Sequence, residues 1–255
     1  FNGSAGLFNY HAGTVRYINA YGTVSGSDYV GAIAAHNSGT ISYCTTSSTA
    51  TVSGANYVGG IVGDNAGTIT NCTNAATIAA SGEKVAGIAG VSEAGNITGC
   101  SNTGAVTGDR YVAGITGGNF PTALTNGIIT KCCNTATITT TQSSKKAFVG
   151  GIAGQSKGTI QYCYNQGTIS GSDHSRAGGI AGANYNGTWS GSTRTPNANE
   201  ASLIQYCYNT GTIAAAYSGD GAITGETEGN VLVCYFLTNC EQHNEGIGIV
   251  EAGTD

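Results

Sequence analysis

Seven of the nine cysteines fall in one series, Cys44, Cys72, Cys100, Cys132, Cys163, Cys207 and Cys234. Cysteine chemistry at such positions is disulfide formation, metal ligation or nucleophilic attack. Zinc ligation needs close pairs of ligands, and no C-x-x-C pair or neighbouring His accompanies these thiols. Where the later copies carry Cys the first carries Ile18, so the position asks for a small buried hydrophobe, a role that a free thiol fills. Disulfides between stacked neighbours satisfy the Cα separation but need a specific side-chain torsion. Cys133 and Cys240 lie outside the series, and Cys234 with Cys240 is the nearest local pair. The series is therefore expected to be inward-facing and reduced.

The remaining chemistry-bearing residues are sparse. His11, His36, His174 and His243 have no partner at metal-ligand spacing. The glycine pairs Gly59-Gly60, Gly150-Gly151 and Gly178-Gly179 lack the Lys-Ser/Thr and the helix that a phosphate-binding loop requires. Asp220, Glu226 and Glu228 supply oxygen ligands of the kind calcium takes, though an exposed acidic turn explains them as well. Tyr185, Trp189 and Arg194 form the candidate ligand-binding set, in or beside a long insertion, with Asp173, His174 and Arg176 close before it. Aromatic faces stack on sugars and carboxylates serve as acid and base. No acidic pair recurs at one position of successive copies. The expectation is therefore no enzyme, with no catalytic residue, metal or cofactor assigned.

Composition narrows the field further. The chain has 255 residues, 42 of them Gly, with only 9% charged residues and a formal charge of −5. Its nine basic residues are dispersed apart from Lys145-Lys146, so no basic stripe for nucleic acid is visible. No apolar run approaches the roughly 20 residues of a membrane-spanning helix. The chain opens on Phe1 inside a motif, which is expected of a processed product or a piece of a longer protein.

These residues must be positioned by something, and internal repetition says what. Val58-Gly-Gly-Ile-Val-Gly63 is followed by Gly67-Thr-Ile-Thr-Asn-Cys72, by Asn74 and by Thr77-Ile78. The order recurs from Val85, Val112, Val149 and Ala177, with earlier copies near Gly6 and Val30 and a degenerate one from Gly221. The leading column Leu7, Ile33, Ile61, Ile88, Ile115, Ile152, Ile180 and Ile223 steps by 26 to 28 residues, except for two steps of 37 and 43. The long steps contain 118–127 and 186–200, which hold both prolines, Pro121 and Pro196. A missing backbone donor costs least in such loops, and the second is expected to project from one edge of the stack.

Each copy has three apolar runs of about four to six residues, the length of strands rather than helices. Strands that stack about 4.8 Å apart bury what one copy cannot. The expected fold is all-β: a solenoid of about eight coils of ~27–28 residues with three short strands each. It occupies 1–237, with 238–255 as a cap or strand-exchange tail built around Gly246-Ile-Gly-Ile-Val250. Ile69 and Cys72 stand three apart, so both are core only if the chain bends near Asn71. The column Asn74, Asn102, Asn134, Asn165 and Asn209 is read as corner chemistry, either left-handed backbone or side-chain bonding between copies.

Gly60-Ile-Val-Gly63, Gly87-Ile-Ala-Gly90, Gly114-Ile-Thr-Gly117, Gly151-Ile-Ala-Gly154 and Gly179-Ile-Ala-Gly182 resemble the GLUG motif, with Ile for its Leu. Tyr162-Cys-Tyr-Asn-Gln-Gly-Thr-Ile169 and Tyr206-Cys-Tyr-Asn-Thr-Gly-Thr-Ile213 look like the second half of such repeats. The resemblance spans Gly6 to Cys234. It implies a right-handed parallel β-helix and an exported bacterial protein, akin to cell-surface adhesins and to the non-catalytic region of immunoglobulin A1 metallopeptidases. The His-Glu-x-x-His motif of their catalytic domain is not in this sequence. The expected function is a structural or adhesive module, a stalk, spacer or filament segment outside the cell. Its expected partners are a cell-surface protein or glycan, or a second copy joined head to tail, with no nucleic acid and no membrane insertion. The competing expectation is a β-helix that binds or degrades polysaccharide.

Overall fold

The computed structural model describes residues 5–122, 127–185, 202–215 and 219–237, together with the backbone of 188–190, 193–195 and 247–250. Among these residues there is no helix. The chain winds through five parallel sheets of six, nine, eight, eight and seven strands, in which each strand between the two ends of its sheet pairs with its copies in the coils before and after. In one coil the strands are Val58–Gly59, Val62–Asn65, Thr68–Thr70, Thr73–Asn74 and Thr77–Ala80. The register is the repeat alignment itself, with Val58 opposite Val85, Ile69 opposite Ile97 and Ile78 opposite Val106. The three apolar runs are thus present, and corners divide the first two of them into two strands each.

The second division is the bend anticipated at Asn71. Asn71 has φ 52°, while Ile69 and Cys72 on either side are both fully buried. Tyr17, Tyr43, Gly99, Lys131, Tyr162, Tyr206 and Val233 take the same left-handed conformation in their own coils. A left-handed non-glycine residue costs roughly 1–2 kcal/mol, and the strand pairs on both sides hold it. A second left-handed column, Tyr29, Tyr57, Lys84 and Tyr111, stands just before Val30, Val58, Val85 and Val112.

The cysteines sit just inside the Asn71-type corner. Cys44, Cys72, Cys100, Cys132, Cys163 and Cys207 are fully buried among the leading isoleucines. The eight described cysteines are free thiols, and Cys240 lies outside the described residues. Each column thiol also closes the corner: the Cys72 thiol donates to the Thr70 carbonyl at 3.4 Å and accepts the Cys44 backbone N–H at 3.4 Å. Ile fills this space in the first coil, but Cys adds a weak donor and acceptor where the ladder is interrupted.

The asparagine column resolves to side-chain bonding, since none of these residues has positive φ. Asn74 Nδ2 donates to Asn102 Oδ1, Asn102 to Asn134, Asn134 to Asn165 and Asn165 to Asn209, each at 2.8 Å. Each amide also donates to the carbonyl two residues on, at 2.9 to 3.1 Å. This ladder explains the recurrent glycines better than turn geometry does. A Cβ on Gly87 would stand 2.0 Å from Asn102 Oδ1, and one on Gly60 would stand 2.3 Å from Asn74 Oδ1. The glycine is there so that the asparagine amide can lie against the backbone.

The stack runs through both insertions. Residues 118–120 belong to the strand Thr116–Phe120, so the first excursion begins only after Phe120. Across the second, Ile160 pairs directly with Ile204, while Thr188–Ser190 and Thr193–Thr195 form an antiparallel hairpin of their own. At the far end Ile247–Val250 pairs in parallel with Thr224–Thr227 of the same chain, adding a ninth strand to the second sheet.

Candidate functional site

One flank of the solenoid gathers side chains that are far apart in sequence. The residue before the leading valine or alanine of each coil forms one column, Tyr29, Tyr57, Lys84, Tyr111, Phe148 and Arg176. Glu93, Phe120, Lys157 and Tyr185 stand at or just past the end of the strand that follows. Between the two columns lie Val91, Gly118, Gln155 and Ala183, opposite one another in successive coils. Beside them is a groove of about 450 Å³ lined by Arg110, Tyr111, Phe120, Lys146, Phe148, Gln155, Lys157 and Tyr185.

Rings and cations interleave along it. Tyr29 stacks on Tyr57 at 4.5 Å and Tyr111 on Phe148 at 5.4 Å. Lys84 lies 4.7 Å from the Tyr57 ring and 5.3 Å from Phe120. Arg110 covers Tyr111 at 4.9 Å, Lys146 covers Phe148 at 5.2 Å and Lys157 covers Phe120 at 5.8 Å. Five of the nine basic residues of the chain, Lys84, Arg110, Lys146, Lys157 and Arg176, therefore share this face. Burial raises the phenol pKa of Tyr29, Tyr57 and Tyr111, so these rings remain neutral.

Beneath the groove lies a buried ion cluster. Glu226 is 1% exposed and accepts from Lys146 Nζ at 2.6 Å, from Arg176 Nε at 2.9 Å and from the Tyr185 hydroxyl. Two cations and a hydroxyl compensate the desolvation that a lone buried carboxylate would suffer. Lys146 remains 40% exposed, so its ammonium is anchored from below and open above. Glu83 stands 3.8 Å from Arg110 at the rim.

The sequence-derived candidates divide. Tyr185 is 5% exposed, with its hydroxyl on Glu226 and its ring edge-on to Phe148 at 5.8 Å. It lines the groove, but as a wall whose hydroxyl is already engaged. Trp189 and Arg194 are cross-strand neighbours in the hairpin of the long insertion, and their side chains lie outside the described residues. Asp173 and His174 are exposed and take no part in the groove. The three carboxylates considered for calcium are not a turn on the surface: Asp220, Glu226 and Glu228 are all buried. Glu226 is committed to its cations, and Asp220 accepts the Ala177 backbone N–H at 2.9 Å. Among the described residues no group of three His, Cys, Asp or Glu side chains is placed to hold a metal ion.

Reading along the chain misses the groove because its basic residues occur one per coil. The signal is vertical: the position before Val58, Val85, Val112, Val149 and Ala177 is Tyr57, Lys84, Tyr111, Phe148 and Arg176, always large and either aromatic or cationic. The fold and this face define a parallel β-solenoid with an aromatic and cationic flank. Comparison with protein-family models, with curated proteins and with solved structures found no match in any of the three.

Proposed function

We propose that this chain is a non-catalytic structural and adhesive module, a rigid spacer of a bacterial cell-surface or secreted protein that presents its flank to a cell-surface protein or glycan. The observation that carries the reading is the unbroken vertical register. Eight strands lie in sequence order in the third sheet and again in the fourth. At about 4.8 Å per coil, such a stack makes a rod of roughly 40 Å. Buried side-chain ladders are a device for keeping such a rod in register. The likeness to the GLUG repeat points to the same setting, outside a bacterial cell.

The test is attachment. Beads coated with the chain are expected to settle and hold on bacterial or epithelial cell layers under flow, several-fold above beads coated with the heat-unfolded chain. Equal retention of the two would remove the adhesive reading and leave a spacer alone.

A further inference from the structure

We propose that the flank groove is a binding site for an anionic polysaccharide, an extended glycan bearing carboxylate or sulfate groups. The inference deepens the adhesive reading and rests on it. Its first support is charge. Arg110, Lys146 and Lys157 converge on the groove, and no carboxylate is among its described lining residues. Glu83 and Glu226 touch two of these cations from the rim and from below, which orients them without covering the opening.

The second support is Gln155. Its side chain is 8% exposed, and it lines the groove. Gly118 and Ala183 are its neighbours in the adjoining coils, so the amide ladder that satisfies the asparagine column cannot form here. Its amide is not among the sealed, unpaired polar atoms of the interior, so it keeps access to the groove. At the floor of a groove it is a donor and acceptor held ready for a hydroxyl or carboxylate.

The third support is how the rings are used. Base stacking on single-stranded nucleic acid needs open aromatic faces. Here the Tyr111, Phe120 and Phe148 faces are covered by cations or by one another. What the groove offers outward is three cationic heads over apolar walls, Arg110 from one coil and Lys146 and Lys157 from the next. That suits an anionic glycan whose charged substituents pair with the cations while its hydroxyls meet the Gln155 amide.

The experiment measures binding of the intact chain to immobilised polygalacturonate, dextran sulfate, neutral dextran and poly(dT), at low and at high salt. Binding is expected for the first or second polymer, which assigns carboxylate or sulfate as the anion, and it is expected to weaken with salt. The double variant Arg110→Ala with Lys157→Ala is expected to lose at least about tenfold in affinity. Gln155→Ala is expected to weaken binding as well, with the melting temperature of both variants close to that of the parent. Equal binding of neutral dextran, tighter binding of poly(dT), no binding of either anionic glycan, or indifference to the variants would each overturn the proposal. Cell attachment of beads that persists in the double variant would then leave the adhesive function standing on another surface.

Discussion

Asn102→Leu is expected to lower the unfolding free energy by roughly 2–6 kcal/mol, because it orphans the Asn74 amide proton aimed at it and leaves the Asn134 oxygen only the long bond from the Ala136 N–H, at about 1–3 kcal/mol apiece. Both groups are fully buried, so water cannot replace the lost partner. The leucine must also occupy the space beside Gly87, where the Asn102 amide lies against the α-carbon. Gly87→Ala attacks the same contact from the other side, with its new Cβ 2.0 Å from Asn102 Oδ1. Two changes that break one contact are not additive, so the double variant is expected to lose less than the sum of the singles. Thr107→Ala, on a half-buried strand position, is expected to stay within about 0.5 kcal/mol. Urea unfolding followed by circular dichroism measures all four. An Asn102→Leu chain as stable as the parent would mean that the ladder is incidental.

The second large effect is alkaline. Burial holds the thiols of Cys100, Cys132 and Cys163 well above their ordinary pKa, and the bond to the Cys100 thiol pushes Cys72 up to about 12. In the unfolded chain a thiol titrates near 8.5. Above that value the unfolded state releases protons that the folded state keeps, so folding stability is complete below about pH 8 and falls as pH rises. Each such thiol removes about 1.4 kcal/mol per pH unit beyond its unfolded pKa. Four of them give a fall of roughly 5 kcal/mol per unit near pH 10. The urea midpoint should therefore collapse between pH 8 and pH 10, and Cys100→Ala should make the fall shallower. In the same series the column thiols should be silent to a thiol reagent in the native protein and should react after denaturation without reductant. A midpoint flat to pH 10, or thiols that need reductant before they react, would contradict the buried free column.

The repeat made the architecture legible because a solenoid writes its register into the sequence. Ile61, Ile88 and Ile115 are opposite one another in the structure for the same reason that they align as text. The bend at Asn71 was also legible, since two core residues three apart on a strand require one. The side-chain roles were less so. Gly60 and Gly87 show in the sequence only as part of the repeat, yet the ladder needs them for the absence of a Cβ. A second buried polar column, in which Asn37 donates to Asn65 at 2.8 Å and Asn65 to Ser92 at 3.2 Å, changes residue type too often to be noticed along the chain. Glu226 reads as one of a surface acidic group because its partners Lys146 and Arg176 stand 80 and 50 residues away. The groove was hidden in the same way. Lys84, Arg110 and Lys157 look dispersed until the coils are laid over one another, and only then do charge and aromatic surface fall on one face.

The central claim is a module that holds a glycan without altering it. Its most direct test is to incubate the intact chain for days with whichever anionic polysaccharide it binds and to follow the polymer's molar mass by light scattering. The account predicts saturable binding with the molar mass unchanged. Progressive shortening of the polymer, removed by Arg110→Ala with Lys157→Ala, would contradict it and make the groove an active site.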